Sequence, residues 1–78
     1  MNIQMLNAPG QLFLGTDHAT ALAQGPRQFR TAANAIRFAI EQAAPVSLRG
    51  ARLDIGTHRL GPRQIKRLHG RLTASRQG

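Results

Sequence analysis

The chain has 78 residues, with eleven Lys and Arg against three Asp and Glu, a formal net charge of +8, and no Cys, Trp or Tyr. That length makes one small domain that buries only about 60% of its unfolded surface. A disulfide framework and a Cys-type zinc site are excluded, and no apolar run approaches the ~20 residues that cross a bilayer. The first cation is Arg27, so Met1–Leu6 lacks the charged start of a signal peptide, and a cytoplasmic protein is expected.

Taken in chain order, residues 1–10 are expected to be loosely ordered, with Pro9-Gly10 at the centre of a type II turn. "QLFLGT" reads as a strand. "DHATALAQG" follows as either a return strand or one helical turn, and a strand around 26–29 is preferred to a helix over 17–24. That strand would lead directly into Thr31, a side chain suited to cap a helix.

The helix from Thr31 rests on Ala-rich sequence of good propensity, with Pro45 as its stop. At 100° per residue Phe29, Ala32, Ala33, Ile36, Ile40 and Ala43 share one face. Arg37 and Glu41 are expected to pair at i,i+4. Phe38 points away from the stripe, so either another segment covers it or it waits for a partner chain, which makes it the candidate interaction residue.

Residues 51–55 alternate, with Ala51, Leu53 and Ile55 on one side and Arg52 and Asp54 on the other, as in a strand with one wet face. "GTHRL" can turn and return as a short strand, or lead straight into the next helix. Pro62 fits the first position of that helix, behind Gly61. Ile65, Leu68 and Leu72 fall within about a sixth of the helical wheel and Arg63, Lys66, Arg67 and Arg71 spread over the opposite side. Gly70 is expected to weaken or end the helix, and the tail 73–78 to fray. The sum is a single α+β domain, order ββαβ(β)α: a three- to four-stranded antiparallel sheet with two helices packed on one face.

"FRTAANAI" and "LGPRQIKRLH" together resemble small uncharacterised bacterial α+β proteins, which have an F-x-T-A-x-x-A-I helix start and a second x-x-I-x-x-L helix. The resemblance spans residues 29–69. It implies a bacterial origin and the α+β architecture, and carries no activity and no site residues.

Chemistry has few carriers. Asp17, Glu41 and Asp54 are the only side-chain carboxylates, and His18, His58 and His69 are dispersed without the spacing of a metal site. There is no glycine-rich phosphate loop, so neither catalysis nor a cofactor nor a small-molecule substrate is expected. Eight of the eleven cations lie from Arg49 onward, facing Asp54 alone. Such asymmetry favours an anionic partner, nucleic acid or an acidic protein surface. A GC-rich genome would explain ten Arg against one Lys, but not the shortage of acids. The expected nucleic-acid contacts are Arg63, Lys66, Arg67 and Arg71, with Arg49, Arg52, Arg59 and Arg76 further out. No base-reading or base-stacking device accompanies them. A protein-interaction module, including a homodimer, is the competing expectation. A membrane-surface role is disfavoured because the few aliphatic residues of the last helix are needed for the domain's own core.

Overall fold

The computed structural model describes residues 6–77, and side chains over residues 6–73. Four strands, β1 (Gly10–Phe13), β2 (Arg27–Phe29), β3 (Arg52–Ile55) and β4 (His58–Leu60), form one antiparallel sheet in the order β2-β1-β3-β4. Three helices accompany it: α1 (His18–Gln24), α2 (Ala32–Arg37) and α3 (Pro62–Gln77). The α+β class read from the sequence is the one observed. None of the helices among the described residues is long and apolar enough to cross a membrane.

Alternation along the strands divides the sheet into two faces. Leu12 on β1, Leu53 and Ile55 on β3 and Leu60 on β4 are buried, in one cluster with Ala32, Ala35, Ile36 and Ala39 and with Ile65 and Leu68 of α3. Ala51 extends that apolar row, as the period-2 pattern requires. Both amphipathic helices therefore cover one face. The other face carries Gln11 beside Asp54, Asp54 beside Arg59, and Phe13 beside Arg52.

The hairpin between β3 and β4 pairs Ile55 with His58 across a two-residue turn. Gly56 has φ +58° while Thr57 does not have a positive φ. A positive φ at the first central position alone is the pattern of a II′ turn, whose twist suits a hairpin. Of the two courses open to "GTHRL", the chain takes the return strand.

Four expectations are corrected. Residues 18–24 form a helix in addition to the strand at 27–29, because Asp17 caps it: its Oδ1 accepts the Thr20 N–H at 2.8 Å. This α1 lies against the end of β1, where Gly50 N–H donates to Gly15 O at 2.9 Å. A Cβ on Gly50 would collide with the Asp17 backbone, so only glycine admits that contact.

Pro9-Gly10 is not a type II turn. Gly10 lacks the positive φ such a turn needs and opens β1 instead. Leu6 is buried and Ala8 O accepts the Ala32 N–H at 2.7 Å, so residues 6–10 are part of the packed domain. The looseness expected of 1–5 lies outside the described residues.

The third correction concerns α2. Thr31 caps it as expected, Oγ1 accepting the Asn34 N–H at 3.2 Å. After Arg37 the backbone widens into a π-helical turn, Phe38–Gln42, and Ala43 N–H donates to Phe38 O at 2.9 Å. The helix thus ends before Pro45, which instead opens a 3₁₀ turn, Pro45–Leu48. The wide turn shifts the phase of everything after it. Within the turn Ala39 is buried and Ile40 only partly so; ahead of it, in α2 itself, Ala35 is buried and Ala33 only partly so. Arg37 and Glu41 straddle the junction, and their expected pair is replaced by one between Glu41 and His69.

The fourth concerns the tail: Gly70 does not end α3, and the helix continues to Gln77.

Candidate anion-binding surface

The last helix owes its start to Gly61 and Pro62. Ile65 N–H donates to Gly61 O at 3.0 Å, which makes Gly61 the cap, and Gly61 N–H donates in turn to Gln64 Oε1 at 3.1 Å. Pro62 occupies the first helical position, where a missing N–H costs nothing. Ile65 and Leu68 are buried and Leu72 packs against the same core. Packing these three residues inward turns Arg63, Lys66, Arg67 and Arg71 outward, and all four are exposed. At 100° per residue they occupy an arc of about 140°. From Arg63 to Arg71 the axial span is about 12 Å at 1.5 Å per residue.

What leaves this face positive is where the acids are. The chain has three side-chain carboxylates, and each is engaged with a partner other than the four cations. Asp17 caps α1, and the Thr20 backbone N–H, followed by its hydroxyl, holds its carboxyl below the usual carboxylate value. Asp54 pairs with Arg52 on the sheet: Arg52 Nη2 donates to Asp54 Oδ2 at 2.9 Å, and Nε lies 2.9 Å from Oδ1 without hydrogen-bond alignment. Glu41 Oε2 lies 2.8 Å from His69 Nε2, on the flank of α3 between its buried and charged sides. Among the described residues, no ion pair involves Arg63, Lys66, Arg67 or Arg71.

The outer contacts expected from the sequence separate into different environments. Arg52 is withdrawn from solvent: its side chain is 19% exposed, paired with Asp54, and its guanidinium lies 4.7 Å from the Phe13 ring centre. Alternation put Arg52 on the wet face correctly. The same alternation puts Asp54, two residues on, on that face, and there the two side chains pair. Arg59 and Arg49 are exposed, but they lie with Arg52 around a hollow beside β3 and β4 and not on the outer face of α3. Arg76 belongs to α3, and its side chain lies outside the described residues.

Phe38 has its cover within the chain. Its ring centre lies 5.5 Å from that of Phe29, and the Arg27 guanidinium stacks 4.4 Å above it. It remains half-buried at a hollow of about 390 Å³ between the end of α1 and the π turn. Arg27 was not singled out from the sequence, although its i,i+2 spacing to Phe29 puts both on one face of a strand. With Phe13 buried under Arg52 as well, all three phenylalanines are occupied in packing.

Among the described residues, no three His, Asp or Glu side chains group as metal ligands. No protein-family model, curated protein or solved structure matches the chain.

Proposed function

We propose that this is a non-enzymatic bacterial protein that binds the sugar-phosphate backbone of nucleic acid with the outer face of α3. One observation carries the reading: Arg63, Lys66, Arg67 and Arg71 share one exposed face while every side-chain carboxylate of the chain is engaged elsewhere. A strand of B-DNA places a phosphate about every 3.4 Å along the axis, so a 12 Å row spans roughly three or four of them. The contacts position and do not read: guanidinium and ammonium groups displace counterions from phosphates, and with all three Phe packed there is no platform for stacking bases. Binding is then independent of base sequence and strongly dependent on salt. A cytoplasmic location, where nucleic acid is accessible, belongs to the same reading.

The test is a salt titration of binding to duplex and single-stranded oligonucleotides, wild type against the variant with Gln at positions 63, 66, 67 and 71. Four phosphate contacts give a slope of about −3.6 in log K against log salt on duplex, and the variant loses most of that slope while remaining folded. A flat salt dependence, or no binding at low salt, overturns the proposal. Capture of an acidic protein that survives nuclease treatment would move the surface to the class of protein-docking modules, where the same cations meet carboxylates instead.

A further inference from the structure

The hollow beside β3 and β4 is a second place where cations converge, and none of the four α3 cations lines it. Its volume is about 310 Å³, at the small end of small-molecule clefts. Arg49, Arg52, Arg59 and His18 line it, and no carboxylate does. Asp54, the partner of Arg52, lines a different hollow, toward Gln11 and Gln28. The other described hollows carry fewer cations: Asp54 is the single charged residue of that one, and Arg27 that of the one beside Phe38.

We infer that this hollow is a binding site for one phosphoryl group. Three separate stretches of the chain, the turn before β3, β3 itself and β4, bring Arg49, Arg52 and Arg59 to its lining, with His18 from the start of α1. Guanidinium forks match phosphate oxygens two at a time, which a single halide does not exploit. Arg49 and Arg59, both exposed and without a described ion pair, supply the uncompensated charge. Arg52 is fixed by Asp54 through Nε and Nη2. A guanidinium has five N–H donors, so part of that fork remains to face the ligand from a rigid position. The opening of α3 at Gly61 and Pro62 forms one wall, with the positive end of the helix dipole on the same side. Arg49 and Arg59, the two cations of the hollow without a described ion pair, repel one another until an anion enters, so a bound phosphoryl group stabilises the fold by linkage. The small size of the hollow argues against a whole nucleotide seated with its base. The phosphoryl group is either free phosphate or the terminal phosphate of a nucleic-acid strand.

Thermal unfolding in phosphate against chloride at matched ionic strength, with amide chemical shifts followed in the wild type, tests the site. Expected are a saturable rise in Tm specific to phosphate and shift changes centred on residues 49–52 and 59–61. Replacing Arg49→Gln together with Arg59→Gln, both exposed and outside the core, weakens phosphate binding by about tenfold or more. The Gln variant at positions 63, 66, 67 and 71 keeps the phosphate response, so failure here and failure of the α3 reading are separable. Oligonucleotides with and without a 5′-phosphate distinguish the sources. Tighter binding of the phosphorylated one, abolished by the double variant, assigns the ligand to a strand end; equal binding alongside a saturable inorganic-phosphate response assigns it to the free ion. A Tm rise that is equal in chloride, that survives in the double variant, or that is accompanied by shifts confined to residues 66–71 overturns the inference.

Discussion

Arginine appears in this protein in two opposite settings. On the outer face of α3 the cations stand in water with no carboxylate against them, and the fold takes no evident benefit from their charge. On the open face of the sheet, Arg52 lies over Phe13 and grips Asp54 with both partners about one-fifth exposed. The first setting leaves charge available to a partner. The second consumes it in covering an aromatic ring that would otherwise lie bare on a two-layer domain. A net charge of +8 is therefore a poor measure of binding capacity, and the useful quantity is the charge left after the three acids have been assigned.

The two settings share one scaffold, which sets the largest expected effect. Ile36→Ala and Leu68→Ala each empty a buried position of the single cluster between helices and sheet, at a cost of about 2–5 kcal/mol. In a domain this small that suffices to unfold it, and urea denaturation should show both surfaces lost in one transition. If the Leu68 variant melts α3 while the sheet persists, the two regions are not parts of one cooperative unit.

Arg52→Gln probes the contrast directly. It strands the Asp54 carboxylate on a mostly covered face and uncovers Phe13. Exposed ion pairs contribute up to about 1 kcal/mol and fully buried ones cost about 3–5 kcal/mol when broken, so a loss of about 1–3 kcal/mol is expected. Arg67→Gln on α3, by comparison, should stay within about 0.5 kcal/mol of the wild type. Equal effects by chemical denaturation would show that the two arginines do not differ in the way their neighbours imply.

Much of this was legible in the residues themselves. The alternation of Ala51, Leu53 and Ile55, the Thr31 cap and the Gly61-Pro62 start of α3 are local signals, and the structure follows each of them. The opposed apolar and cationic sides of α3 follow from a single period and hold as well. The failures are contextual. The π turn after Arg37 has no local signature, and it moves Glu41 from Arg37 to His69, 28 residues away. Arg52 could be assigned to the wet face but not to Phe13, because that neighbour is set by the β1–β3 register. The hollow of Arg49, Arg52 and Arg59 is invisible along the chain for the same reason.

A smaller effect, of opposite sign, comes from Gly70. It lies on the charged side of α3, in mid-helix, and a Cβ there meets nothing within 4 Å. Gly70→Ala should therefore stabilise the protein by about 1 kcal/mol through backbone entropy and helix propensity. The four cations are untouched, so oligonucleotide binding should remain at the wild-type level. Unchanged or reduced stability in urea would show that the glycine meets a requirement of the helix that its open surroundings do not reveal.

The last prediction concerns the remaining acid and its pH dependence. Hydrogen bonds from Thr20 lower the folded-state pKa of Asp17 below its unfolded value, which is about 3.9 in peptides. A depressed carboxyl contributes stability that is fully present above the unfolded value and is lost as pH falls through the folded one. Asp17→Asn keeps an oxygen able to cap α1 but removes the titration. Urea unfolding followed from neutral pH into acid should show a wild-type advantage over the Asn variant that is level at neutral pH and declines once pH drops below about 3.9. Because the domain is expected to unfold in one transition, the decline should appear alike in amides of residues 17–24 and in those of α3. A decline confined to residues 17–24, with α3 unchanged, would show that α1 opens by itself and that the paired and the unpaired arginines do not stand on one cooperative scaffold.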